Sequence, residues 1–258
     1  MKALYQIGRY FFAIAIIAFG VQYFLYGRFV GGLPPVPPWT PGGRAGAHLV
    51  GAFLVAAGVG LAINQKARWS ALLLGTVFLL CVLLLHGPRM HDILVDGVAR
   101  TRALEPLALS GVAFALAGSL SDRQATADAI VKTNKSLVRW GHFLFALPMI
   151  VFGIQHFQYA RFIAVLIPSW IPGPWFWTYS TGLGFIAAAL SIMTKIAGRL
   201  PASLLGLMFF LWLVLLHTPR VLASLHNGDE WSSAFVALAM SGGSFIIAGQ
   251  LATDAETR

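Results

Sequence analysis

The sequence predicts an all-α integral membrane protein, with eight transmembrane helices arranged as two parallel-repeat four-helix bundles. Three observations lead there. Hydrophobic residues make up 58% of the 258 positions and charged residues only 10%, with a mean hydropathy of +0.76. A soluble domain carries roughly 25% charged residues, so this composition cannot cover a water-facing globule, and it equally excludes a disordered chain. The apolar residues fall into eight continuous runs, each near the ~20 residues that a helix needs to cross a bilayer. They lack the alternation of barrel strands, and lipid admits only helices or closed barrels. Finally, the last four runs repeat the first four.

The runs lie at 7–26, 47–63, 70–87, 103–120, 138–157, 175–193, 200–218 and 232–251. The first follows Met1 and Lys2 and has the look of a signal peptide. Tyr26, Gly27 and Arg28 follow it in place of small residues, so it reads as a retained helix. A proline-rich loop, P-P-W-T-P-G from Pro37, leads to the second run. The third closes with His86, Gly87 and Pro88, where proline ends regular helix. The polar stretch 121–137 separates the fourth run from the fifth, so the units are 1–120 and 138–258 with a linker between. The fifth to eighth runs then follow the same plan, with P-S-W-I-P-G from Pro168 and His217, Thr218, Pro219 in the matching places.

The repeat is specific. With a shift of 133, Gly8–Phe29 lies on Gly141–Phe162 with 11 of 22 positions identical, among them Gln22, Tyr26 and Arg28. The first loop carries two extra residues, after which the shift is 131. H-G-P-R from His86 then matches H-T-P-R from His217, and L-S-G at Leu109 matches M-S-G at Met240. Apolar composition alone does not put Gln, Arg, His and Pro in step. Four helices per unit make both units point the same way, so the expected relation is a pseudo-two-fold axis along the membrane normal.

Charge sets the orientation. With eight spans, the side holding both termini and the linker carries 11 of the 18 basic residues and all five lysines. The positive-inside rule makes that side cytoplasmic. The net charge of +9 is thus a topology signal. Basic runs of the kind that bind nucleic acid are absent, and the bilayer is the expected partner.

The repeated polar residues share one address at the outer face. Gln22, Tyr26 and Arg28 close the first helix, and His86 and Arg89 the third; Gln155, Tyr159, Arg161, His217 and Arg220 are their copies. His156 stands where the first unit has Tyr23, while His48 stands where the second has Tyr179. This exchange fits two polar pockets tuned differently, and equally fits drift between hydrogen-bonding aromatics. The arginines fit an anion, a lipid phosphate or a quinone carbonyl. They also fit plain helix C-terminal charges that reach for the interface, with Asp92, Asp96, Glu105, Asp229 and Glu230 as counter-ions. His86 and His217 either serve the carbonyls of Leu84 and Leu215 freed by the prolines or ligate a b-type haem across the axis. Haem needs facing rings that spacing does not supply, so it is not expected. A single cysteine, Cys81, excludes a disulfide and thiolate clusters, and no metal-ligand motif is present.

These residues resemble the DoxX-like family of small four-helix membrane proteins, whose first helix often carries an H-F pair and is followed by a P-x-W-x-P loop. The second unit matches best, in G-I-Q-H-F-Q-Y-A-R-F from Gly153 and I-P-S-W-I-P-G from Ile167; the first has Tyr23 in place of the histidine. The chain resembles a tandem of two such units. The resemblance implies a bacterial inner-membrane subunit of a redox complex, with protein partners, binding quinone or a related lipid near the outer face. The alternative is a non-enzymatic scaffold or lipid-binding subunit of a larger assembly. On the first reading a cavity lined by Gln155, His156, Tyr159, Arg161, His217 and Arg220 is expected in the second unit. A lesser copy is expected from Gln22, Tyr23, Tyr26, Arg28, His86 and Arg89, with His48 nearby.

The topology has a direct test. Cysteines introduced at Thr126 and at Gly228 in a Cys81→Ser background are expected to react with a membrane-impermeant maleimide from opposite sides; reaction of both from one side overturns the eight-span arrangement.

Overall fold

A computed structural model describes residues 2–29, 33–120, 127–197 and 199–256, and every regular element among them is helical. Seven helical stretches are long and apolar enough to cross a membrane: Ala3–Tyr26, Gly43–Ala62, Ala67–Val95, Lys135–Gln158, Pro174–Thr194, Arg199–Ala223 and Gly228–Ala252. They correspond to helices α1 (Lys2–Tyr26), α2 (Gly43–Ala62), α3 (Ala67–Cys81) continued by a short α4 (Met90–Val95), α6 (Ala127–Gln158), α8 (Pro174–Thr194), α9 (Arg199–Trp212) continued by α10 (Thr218–Ala223), and α11 (Gly228–Glu256). A short α7 (Ala160–Leu166) follows α6.

α5 (Gly97–Ser119) stands apart from those seven because Arg100, Arg102 and Glu105 sit in its first half. Its second half is enclosed by protein: every residue from Ala108 to Ala113 is buried. α11 is the other central helix, buried without interruption from Ser241 to Gln250. A helix buried all round needs apolar or small residues on every face, and both segments supply them.

The helices form a closed ring in which each packs on the next: α1, α2, α3, α5, α6, α8, α9, α11 and back to α1. α5 and α11 also meet at the centre, where Gly243 lies against Val112. The four helices of each sequence half are consecutive in the ring, and each half is closed by the other through α5 on α6 and α11 on α1. The helices of the two four-helix units expected from the sequence thus meet along two shared walls. The closing contacts are backbone on backbone. A Cβ at Gly8 would lie 2.6 Å from the carbonyl oxygen of Gly242, and one at Gly141 would lie 2.6 Å from that of Gly111. Lipid provides no hydrophobic drive for helices to associate, so close van der Waals approach between small residues must supply it. Hydroxyls add to it at matching places: Ser110 donates to the carbonyl of Gly75 and Ser241 to that of Gly206, both at 2.8 Å.

Local chemistry explains where helices end. α1 stops at Gly27, whose φ of +59° is left-handed. The matching position in the second half is Ala160, and there the chain breaks for one residue at Tyr159 and resumes as α7. α6 begins at Ala127, inside the stretch read from sequence as linker, because A-D-A-I-V-K contains no helix breaker. The prolines act on the backbone. Ahead of Pro88 and Pro219 the helices widen into π turns, Val82–His86 and Leu213–His217, in which the amide of Gly87 reaches Val82 and that of Thr218 reaches Leu213. Such turns recur at functional sites.

Gly242→Leu is expected to lower stability by about 1–3 kcal/mol, the usual cost of overpacking, because its Cβ would lie 2.6 Å from the amide nitrogen of Phe12. Unfolding in mixed detergent micelles, followed by circular dichroism, measures it; an unchanged midpoint refutes the close approach.

Candidate functional site

A cavity of about 660 Å³ opens where α5, α6, α7, α8, α9 and α11 converge, so residues of both sequence halves line it. Its volume falls in the ~300–1,000 Å³ range of small-molecule sites. Phe185, Phe209, Trp212, Leu216, Val236 and Met240 form much of its apolar wall. The end of α6 brings in Phe152, Gln155, His156 and Tyr159, and the π turn after α9 brings in His217.

The polar groups differ in how much of each is free. His156 Nδ1 lies 2.7 Å from the carbonyl oxygen of Phe152. A carbonyl only accepts, so the ring proton sits on Nδ1 and Nε2 becomes the acceptor of the neutral ring. The ring packs on Phe185 at 5.2 Å between centroids. The Gln155 amide donates to the carbonyl of Gly97 at 2.9 Å, and its oxygen accepts from Thr101 at 3.3 Å, so it fastens α6 to α5 as well as lining the cavity. His217 Nδ1 is buried with no hydrogen-bond partner among the described residues. An unpaired buried polar atom costs roughly 1–3 kcal/mol, and this one is enclosed by protein and not displayed on the cavity wall.

The two arginines expected beside these residues lie outside the cavity. Arg220 is held by Glu230 at 2.9 Å, and Arg161 is exposed on α7, turned away because the chain continues as helix past Ala160. In the first half the expected residues are dispersed. Gln22 is buried, with its amide on Ser232 at 3.2 Å and on the carbonyl of Gly228 at 3.4 Å. Tyr26 packs against Gly228, and Arg28 is exposed. Tyr23 is fully buried: its hydroxyl donates to the carbonyl of Leu33 at 3.0 Å and accepts from the amide of Val36 at 3.3 Å. Leu33 and Val36 of the first loop, which in sequence is two residues longer than its counterpart, are the partners of Tyr23. His86 and Arg89 line a separate cavity of about 310 Å³ under the same loop, where the Arg89 guanidinium lies 4.1 Å from the Trp39 ring centre and the His86 ring meets that indole edge-on.

The His–Tyr exchange therefore has two outcomes. His48 stacks on Phe24 at 5.4 Å as Tyr179 stacks on Phe157 at 5.7 Å, so those two are interchangeable rings, and His48 lines neither cavity. Tyr23 and His156 are not interchangeable: one is tied to a loop, the other lines the cavity. His86 and His217 line different cavities, which separates them as a ligand pair. Among the described residues no three His, Cys, Asp or Glu side chains gather as metal ligands.

Several lining residues escaped the sequence reading. Thr101, Thr178 and Thr181 look like ordinary helix residues. Glu105 was read only as a counter-ion, yet it lines both cavities. Its signal was a departure from the repeat, since the matching position is Val236.

No family model, no curated protein and no solved structure matches this chain.

Removing the Tyr23 hydroxyl isolates the difference between the halves. Tyr23→Phe is expected to cost about 1–3 kcal/mol, since the buried amide of Val36 and carbonyl of Leu33 lose their partner. It should also raise the rate of proteolysis in the 33–36 loop. Unchanged stability and cleavage would show that the hydroxyl does not hold that loop.

Proposed function

We propose that this chain is a membrane-embedded subunit of a redox complex and binds a quinone or a related lipid in the larger cavity, near the outer membrane face. The DoxX-like resemblance belongs to this reading, as does a fold of two repeated four-helix units with α5 as an eighth span and the termini in the cytoplasm of a bacterial cell. The observation that carries it is an apolar, aromatic-walled cavity lined by His156, whose Nδ1 bond to Phe152 leaves Nε2 uncommitted, and by His217. A ligand with a flat polar head and a long apolar body satisfies both parts of that wall.

The residues present fit a quinone. Its ring oxygens need donors, and Tyr159, Arg102 and the N–H of His217 supply them, while the reduced ring's hydroxyls find an acceptor in His156. Phe185, Phe209, Trp212 and Leu216 suit an isoprenoid chain. A bound quinone supplies two-electron chemistry coupled to proton transfer. The chain's part is to hold the head group, keep its surroundings dry and take up or release a proton at His156.

The second reading, a scaffold or lipid-binding subunit without redox chemistry, is favoured by one observation. Gln22, Gln155, Tyr23 and Arg220, four of the repeated or exchanged polar residues, are engaged in bonds within the chain.

His156→Ala is expected to weaken binding of a short-chain quinone roughly tenfold, because a buried hydrogen bond is lost, with helix content unchanged. Titration of the purified protein in nanodiscs, read by tryptophan quenching, tests it. A purified protein that carries no quinone in its extracted lipid and binds none in titration favours the scaffold reading.

A further inference from the structure

The charge on the larger cavity opposes that of the chain. The protein as a whole carries +9, yet the charged side chains lining this cavity are Asp96, Glu105 and Asp229 against the single Arg102. With histidines neutral, that is a formal charge of −2. Arg220, which would have offset it, is paired with Glu230 outside. Arg89 is drawn to Trp39 and Asp92 in the smaller cavity.

Glu105 is the centre of this. It sits on α5 just before the largely buried turn that starts at Pro106 and lines both cavities, so the residue stands in the wall they share. No ion pair within 4.0 Å and no hydrogen bond holds it among the described residues. A carboxylate in an apolar setting is costly unless something pairs with it. Arg102, one turn back on the same helix, is the counter-charge that acts on Glu105, but it is exposed and not within ion-pair distance. Pro106 follows immediately and lacks an amide hydrogen, so the backbone next to Glu105 offers one donor fewer. The rest of the lining is rich in aromatic rings: Phe152, Tyr159, Trp177, Phe185 and Phe209. Aromatic faces attract cations and apolar chains alike.

We infer that the larger cavity selects amphiphiles with a cationic head group, an alkyl- or arylammonium, and that Glu105 is the anchor for that charge. An ammonium neutralises the excess negative charge, donates N–H bonds to Glu105 and lies against the rings, while its apolar body takes the remaining volume. This rests on the cavity being a ligand site, as proposed above, and adds the charge of the head group it prefers.

The test uses the full-length protein in nanodiscs of zwitterionic lipid, with Trp177 and Trp212 in the cavity wall as reporters. Dodecyl chains dibrominated at the far end quench tryptophan and are supplied with an ammonium, a hydroxyl or a carboxylate head. The ammonium is expected to bind roughly tenfold more tightly than the hydroxyl, and the carboxylate most weakly. Glu105→Gln, which keeps the shape and removes the charge, is expected to abolish the ammonium preference and leave the hydroxyl probe unchanged. Equal binding of the three heads to the natural protein, or an ammonium preference that survives in Glu105→Gln, overturns the inference. The head-group comparison in the natural protein decides even where the variant does not fold. If the heads bind equally while a short-chain quinone still binds, only the cationic preference fails; if neither any dodecyl probe nor the quinone binds, the cavity is not a ligand site and both readings fall.

Discussion

Backbone-to-backbone approach at glycine is the constraint on which the structure depends. At Gly8 with Gly242 and at Gly111 with Gly141 there is no room for even one carbon atom. In water, helices could be driven together by burying leucine; in lipid they gain little from that, and surface fit decides. The glycine crossings draw α1 onto α11 and α5 onto α6, and so pull both central helices inward. Tight contact there is balanced by looseness elsewhere. Where α5 opens away from α8 and α9, ring side chains cannot fill the gap, and the larger cavity lies in that gap.

Much of this was legible in the sequence. Long apolar runs report helices in lipid because composition and length are nearly sufficient for that inference, and seven of the eight runs coincide with helices long and apolar enough to cross a membrane. The run at 103–120 begins later than its helix, because α5 starts with Asp96 as its N-cap, accepting from the amide of Val98, and then carries charged residues along a wall of the cavity. Periodicity cannot see that Glu105 lines an internal space while Arg102 beside it stays exposed. His156, Gln155, Tyr159 and His217 were found by their repetition and spacing, and the structure brings them to one cavity. Arg161 and Arg220 were not separable from them in sequence, since their placement depends on Ala160 allowing α7 and on Glu230 lying within reach.

The two halves show how one substitution can divide related pockets. Tyrosine and histidine are both flat and both bond through a polar edge, but the phenol reaches farther and offers donor and acceptor on one atom. At position 23 that atom serves a carbonyl and an amide of the same loop, and the pocket closes around it. At position 156 the shorter ring satisfies itself on its own helix and leaves the space above it open. The longer loop and the tyrosine occur in the same half.

The π turns at Val82–His86 and Leu213–His217 carry a historical implication. A π turn holds one residue more than the α-helical turn it replaces, and it arises most simply by a single insertion. Both halves have it at the same alignment position, with a proline at the same distance after it and no gap between 71–89 and 202–220. If the two repeated units proposed above descend from one sequence, the inserted residue was present before they diverged. The loop length, the Tyr23–His156 pair and the Glu105–Val236 pair differ between the halves, whereas the π turn does not. On the repeat proposed above, the π turn belongs to what the two units inherited in common, and the features that make one cavity unlike the other belong to their divergence.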